Sequence, residues 1–242
     1  MGDSFEEFIE EFVMQTAGRG WRFESRVQRQ IGRFFFHLQQ KNQQFNLTGY
    51  KTLAEYLDFH LADALQISQW IQPRNPSSIV DVGSGCGVPG ILLKILHPEW
   101  RVVLIESNRK KARFLSEISE YLELADCAVL NERAEEAARK AEWRETLDSA
   151  TARALGPLPV TLELTAGFVR VGGTIVLPRG GDENVVKESS RVADALGCHL
   201  KQVILYALPR LTKPFQAAIY EKVAALSDKF PRKPGQIRKH PL

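Results

Sequence analysis

Four glycines fall within eight positions in the stretch Asp81-Val-Gly-Ser-Gly-Cys-Gly-Val-Pro-Gly90, directly after the apolar Ile79 and Val80. This spacing suits a buried strand that turns tightly into a helix, since glycine turns sharply and leaves no Cβ between backbone and ligand. An acid, Glu106, ends the next apolar run, Val102–Ile105. A carboxylate about 20 residues beyond a glycine loop can accept both hydroxyls of an adenosine ribose. Further on, Arg153 offers a planar fork of donors. His60 and Asp63 stand three apart on one side of a helix. On chemistry alone, His60 reads first as a hydrogen-bonded structural histidine. Cys86, Cys127 and Cys198 have no paired spacing, so neither a metal site nor a disulfide framework is expected, and the set fits a reducing compartment.

Two ligands compete for the loop. Gly85-Cys-Gly-Val-Pro-Gly90 matches G-x-G-x-x-G, so NAD is a candidate. A dinucleotide, however, needs N–H donors at the helix start for its pyrophosphate, and Pro89 removes one there. The strand count also leaves no second mononucleotide-binding half. S-adenosylmethionine has no pyrophosphate and is the better fit.

The elements that must position these groups come in two styles. Phe5, Phe8, Ile9, Phe12 and Val13 recur at helical spacing, and longer helices are expected from about Glu24 to Gln44 and from about Thr52 to Trp70. The polar break Phe45–Lys51 lies between them. After Pro73–Pro76 the pattern alternates strand and helix. Strands are expected at Ile79–Val82, Val102–Ile105, Cys127–Leu130, Leu147–Ala152 and Thr174–Leu177. Helices follow at Gly90–Leu96, Lys110–Leu122, Ala134–Ala141, Pro157–Phe168 and Asp182–Leu196. Two final strands, about His199–Tyr206 and Gln216–Val223, should pair as an antiparallel hairpin. The fold class is therefore α/β, a doubly wound sheet with a C-terminal antiparallel hairpin. The expected parts are a helical N-terminal extension (1–75), the sheet domain (76–227) and a tail (228–242).

A net charge of +3 suits a nucleic-acid partner without demanding one. The tail is another matter. Lys229, Arg232, Lys233, Arg238 and Lys239 face a single acid, Asp228, and prolines and glycine argue for an extended basic arm. Phosphate contact is its functional reading, with Lys51 and the Arg109–Arg113 cluster in support. The acidic N-terminus is unlike a signal peptide, and no apolar run approaches a membrane span, so a cytoplasmic monomer with no membrane partner is expected.

The order of parts carries a resemblance. Asn46-Leu-Thr, His60-x-x-Asp63, the glycine loop through Gly90, Glu106-Ser, Lys110-Lys-x-Arg113-Phe-Leu, Arg133-Ala-Glu135, Ala152-Arg153-Ala154 and the Lys-x-Pro-Arg-Lys-x-Gly tail occur in sequence. Together they resemble the bacterial 16S ribosomal RNA guanine-N7 methyltransferase family (RsmG, also called glucose-inhibited division protein B), from about residue 24 onward. The resemblance implies a class I, Rossmann-like fold and methyl transfer from S-adenosylmethionine to N7 of a guanine in 16S ribosomal RNA or the small ribosomal subunit. It implies cofactor contacts from Asp81, Gly83, Gly85, Val88, Glu106, Ala134, Glu135 and Arg153, with Ala134-Glu135 bordering the adenine. Asn46 and His60 would join Arg153 in positioning the reactants. Three departures stand out, Ala152 for a usual serine, Glu106 for a more frequent aspartate, and Cys86 at a small or proline site; none removes a needed group.

Guanine N7 carries an in-plane lone pair and no proton. No general base is therefore expected, and alignment is the enzyme's task. A class I methyltransferase acting on protein or a small molecule, and a non-catalytic RNA-binding or assembly factor, are the alternatives.

Overall fold

The computed structural model describes residues 4–71, 78–180, 192–209 and 214–242. Five parallel strands, β1 (Ser78–Val82), β2 (Arg101–Ile105), β3 (Cys127–Leu130), β4 (Leu147–Thr151) and β5 (Val169–Arg179), join β6 (Cys198–Tyr206) and β7 (Phe215–Lys222) in one sheet. The order is β3-β2-β1-β4-β5-β7-β6. The chain winds outward from β1 to β3, then returns to β4 on the other side of β1. That reversal opens a crevice at the carboxyl ends of β1 and β4, the usual ligand position in open α/β sheets.

Side-chain alternation along the strands builds two cores. Ile79, Val102 and Leu104 face a cluster that includes Phe12, Phe34, Phe35, Leu57 and Ile67. These come from the N-terminal helices α1 (Phe5–Gly18), α2 (Ser25–Gln44), α3 (Leu53–Glu55) and α4 (Ala62–Trp70), with the turn between α3 and α4, which thus share a core with one face of the sheet. Val80, Val82, Val103 and Ile105 face the opposite cluster, with Leu158, Leu162, Phe168 and Tyr220. The remaining helices are α5 (Gly90–Leu96), α6 (Arg109–Tyr121), α7 (Ala134–Ala137), α8 (Leu158–Ala166) and α9 (Pro234–Lys239).

Several expectations need correction. The single helix expected over 52–70 begins with a Thr52/Glu55 capping box but is π-helical over Tyr56–Leu61. Its hydrophobic spacing is helical either way, so the wider turn left no mark on the sequence. β5 starts before Gly172-Gly173 and carries a register shift opposite Leu147 and Ser149. The hairpin forms, but its second strand inserts beside β5 and β6 becomes the edge. The Asp182–Leu196 helix lies largely outside the described residues, though residues 192–195 are helical.

The tail is not an extended arm. Pro234 begins α9, at a helix start where its missing N–H is no loss. Phe230 and Ile237 are buried anchors on a segment that charge alone would leave in solvent.

Candidate active site

The glycine loop is fixed at both ends by its neighbours. Gly83 and Ser84 donate their backbone N–H to the carbonyl of Ile105, tying the loop to the end of β2. Gly83 has φ +74°, and a Cβ there would come within 2.5 Å of Leu155 Cδ1. At the far end Gly90 N donates to Asp81 Oδ2 at 3.0 Å, and Ile91 N donates to the Gly87 carbonyl. The two leading donors of α5 are therefore already used. Pro89, the N-cap residue, supplies none. This helix start has little to offer a pyrophosphate.

Glu106 sits beneath the loop. Its Oε2 accepts from Gly85 N at 3.0 Å and its Oε1 from Asn108 N at 2.7 Å, which holds the carboxylate at the mouth of the crevice. A carboxylate oxygen has a second lone pair, so both can still accept a hydroxyl. A Cβ at Gly85 would meet nothing nearer than Gly83 O at 3.7 Å, leaving open space beside that carboxylate.

Asp81 is fully buried, and its Oδ1 has no hydrogen-bond partner among the described residues. Burial pushes its carboxyl up to about 7, against the hold of the Gly90 bond and the nearby Arg153 charge. A buried, orphaned carboxylate oxygen beside a backbone-lined loop fits a cationic ligand group. A cleft at the strand ends is lined by Gly83, Ser107, Ala134, Glu135, Leu155 and Ile237, among others. Loop, acid, orphan oxygen and cleft together fit an adenosyl cofactor carrying positive charge.

A second cluster lies across the switch point, at the end of β4. Ala154 is in the left-handed region (φ +51°), a backbone conformation uncommon outside glycine, directly after Arg153. Arg153 forms an ion pair with Asp63, Nε to Oδ2 at 2.9 Å, and donates Nη1 to His60 Nδ1 at 3.2 Å. Tyr206, from the end of β6, donates its hydroxyl to Asp63 Oδ1 at 2.7 Å. Burial and the Asp63 carboxylate keep that hydroxyl protonated. His60 is neutral, because burial first and the Arg153 charge second lower its pKa to about 3. With Nδ1 accepting from arginine, its proton is on Nε2, which donates to Thr48 Oγ1 at 3.1 Å. One guanidinium thus links a helix, a loop and two strand ends, and its Nη2 has no partner among the described residues.

The sequence-derived candidates are therefore partly assembled. Gly83, Ala134 and Glu135 line the cleft, Glu106 accepts from Gly85 in the adjoining loop, and Asp81 ties that loop to Gly90. His60 joins Arg153. Val88 does not reach this cleft; it is buried under the loop in the core with Cys86 and Ile91. Asn46 lies apart from the Arg153 cluster. It is exposed and makes no hydrogen bond to the Arg153 cluster, while Asn42 organises the loop through Leu47 N, Thr48 N and the carbonyls of Thr48 and Tyr50. Arg232 is not a free phosphate ligand, since its fork is closed on buried Glu163. Arg238's side chain lies outside what is described. Lys229, Lys233 and Lys239 are exposed. Sequence reasoning missed Tyr206, Asn42, Thr48 as a partner of His60, and Glu163. Only the His60–Asp63 spacing signalled part of the cluster.

Comparison with known proteins shows the family. The family model for rRNA small subunit methyltransferase G (GidB) matches residues 27–212. The chain belongs to this family. Ribosomal RNA small subunit methyltransferase G of Acetivibrio thermocellus is 35% identical over 216 residues, covering 88% of this chain and 89% of the relative. The one from Caldanaerobacter subterraneus subsp. tengcongensis is 33% identical over 234 residues, covering 97% and 98%. Among solved structures, Aeropyrum pernix fibrillarin with natively bound S-adenosyl-L-methionine aligns with TM-score 0.52 and 17% identity, over 66% of this chain and 73% of that one. TYW2 of M. jannaschii aligns at TM-score 0.50 and 15% identity, over 68% and 76%. These structural likenesses establish the class I methyltransferase fold that the methyltransferase G family shares.

Proposed function

We propose that this chain transfers a methyl group from S-adenosylmethionine to N7 of a guanine in 16S ribosomal RNA, in the cytoplasm. Membership in the methyltransferase G family carries the acceptor. The glycine loop, whose helix donors are spent internally while Asp81 Oδ1 is not, supports the cofactor. When bound, S-adenosylmethionine supplies an electrophilic sulfonium methyl.

The residues then divide the work. Gly83, Gly85, Ala134 and Glu135 shape the cleft for the adenosyl group, and the Glu106 carboxylate accepts the ribose hydroxyls. Asp81 places its unpartnered oxygen toward a cation. Arg153, held by Asp63 and His60, directs Nη2 at the N7/O6 edge of guanine, the edge an arginine fork matches. Neutral His60 leaves no basic nitrogen free, in keeping with an acceptor that loses no proton before attack. Catalysis is alignment, with the reacting atoms roughly 3–3.5 Å apart. The target guanine must be unstacked or flipped out to present that edge.

The expected parts of the chain are a helical N-terminal extension, the sheet domain and the tail, and exposed Lys229, Lys233 and Lys239 would meet RNA phosphates. Transfer of labelled methyl to ribosomal RNA, abolished in Glu106→Ala, tests the reading. Label appearing in protein or in a small molecule instead would refute the acceptor.

A further inference from the structure

We propose that the C-terminal segment is part of the cofactor site, with Pro234 and Ile237 closing the outer wall of the adenine pocket and Arg232 acting as the positioning residue that holds them there. This rests on the S-adenosylmethionine reading above and adds to it a wall supplied from the other end of the chain.

Pro234 and Ile237 line the same cleft as Gly83, Ala134 and Glu135. Opposite the loop, that cleft is apolar, with Leu155, Val160 and Leu164 beside Ile237. A flat heterocycle is the part of an adenosyl cofactor that such a wall suits. Ile237 is 1% exposed, so its burial there is substantial.

The tail is held by more than this wall. Glu163 is fully buried on α8, on the helical face that also carries Val160 and Leu164. Arg232 closes on it with three donors. Its backbone N reaches Oε1 at 2.8 Å, Nε lies at 2.9 Å from Oε1, and Nη2 lies at 2.6 Å from Oε2. A carboxylate buried on that face is tolerable only when paired, so the helix is built for a docked tail. Arg139 adds a bond to the Pro231 carbonyl, and Arg144 adds bonds to those of Phe230 and Leu226. Meanwhile Lys229, Lys233 and Lys239 point to solvent. The segment therefore turns an apolar side to the pocket and a cationic side outward. By linkage, a cofactor that favours the docked tail is itself bound more tightly when the tail is docked.

Calorimetry with S-adenosylhomocysteine tests this on the full chain, Ile237→Ser, Arg232→Ala and Arg232→Lys, with circular dichroism melts to confirm folding. Removing one buried apolar side chain from the wall should weaken binding by roughly tenfold. Ile237→Ser and Arg232→Ala are expected to show that loss, and Arg232→Lys to recover part of it. On the unaltered chain, S-adenosylhomocysteine should slow tryptic cleavage after the exposed Lys229 and Lys239, a readout independent of any variant's folding. Variants that bind as tightly as the parent, with cleavage unchanged by ligand, would overturn the tail assignment. A parent chain that does not bind S-adenosylhomocysteine would instead overturn the cofactor reading beneath it.

Discussion

In the proposed reaction Arg153 carries the most weight of any single residue. Its Nε and Nη1 are fixed by Asp63 and His60, leaving Nη2 for a reactant. Arg153→Ala should lower the methylation rate at saturating cofactor by about 100-fold, and Arg153→Lys should recover little, because a point charge cannot replace a braced fork. Single-turnover kinetics checks both. Asp81 and His60 give pH signatures of opposite sign. His60, lowered to about 3, contributes stability that is complete above pH 6.5 and is lost as pH falls toward 3. Asp81, raised to about 7, contributes stability that is complete below 3.8 and is lost as pH rises to 7. Each slope is at most about 1.4 kcal/mol per pH unit, so in the parent they offset one another across the shared range. Urea denaturation should separate them. His60→Gln loses less stability on acidification, and Asp81→Asn loses less as pH rises through neutrality. Cofactor binding should follow Asp81 as well, weakening as pH drops below 7 in the parent and not in Asp81→Asn.

At the scale of elements, the glycine loop shows what was legible. Apolar runs, four glycines and an acid at the next strand's end placed β1, α5, β2 and the crevice correctly, because each is dictated by local chemistry. Gly90 adds a packing reason. A Cβ there would fall 2.3 Å from Leu104 Cδ2 and 2.8 Å from Asp81 Oδ2, so α5 lies on β1 and β2 only with glycine at that position. Gly90→Ala should cost about 1–3 kcal/mol through overpacking, measured as a lower denaturant midpoint. The Arg153 cluster was less legible. His60 and Asp63 are three apart, but Tyr206 joins from 143 positions beyond Asp63 through a hairpin whose insertion order no local signal gives. The role of Asn42 is illegible for a related reason. A polar turn offers several amides, and only the folded loop shows Asn42 making the bonds. The tail's prolines and lysines point by composition to an extended arm, but two apolar anchors, Phe230 and Ile237, and the buried Glu163 decide its path.

For the whole molecule, the sheet reversal between β1 and β4 sets the glycine loop and the arginine cluster at the ends of neighbouring strands, and the tail leaves Lys229, Lys233 and Lys239 exposed for the RNA phosphates proposed above. Salt should therefore weaken RNA binding steeply. Replacing Lys229, Lys233 and Lys239 with Gln should reduce the slope of log affinity against log salt by about 0.7–0.9 for each phosphate no longer neutralised, while Asp81→Asn leaves the slope unchanged. Filter binding across a salt series reads this directly. The proposed reaction is methylation of guanine N7 in ribosomal RNA. Its most direct test is nucleoside mass spectrometry of 16S ribosomal RNA and of small subunits after incubation with the protein and S-adenosylmethionine. One new N7-methylguanosine per RNA is expected, absent when Glu106→Ala replaces the parent. An unmodified RNA, or a methyl group on any other atom, would contradict it.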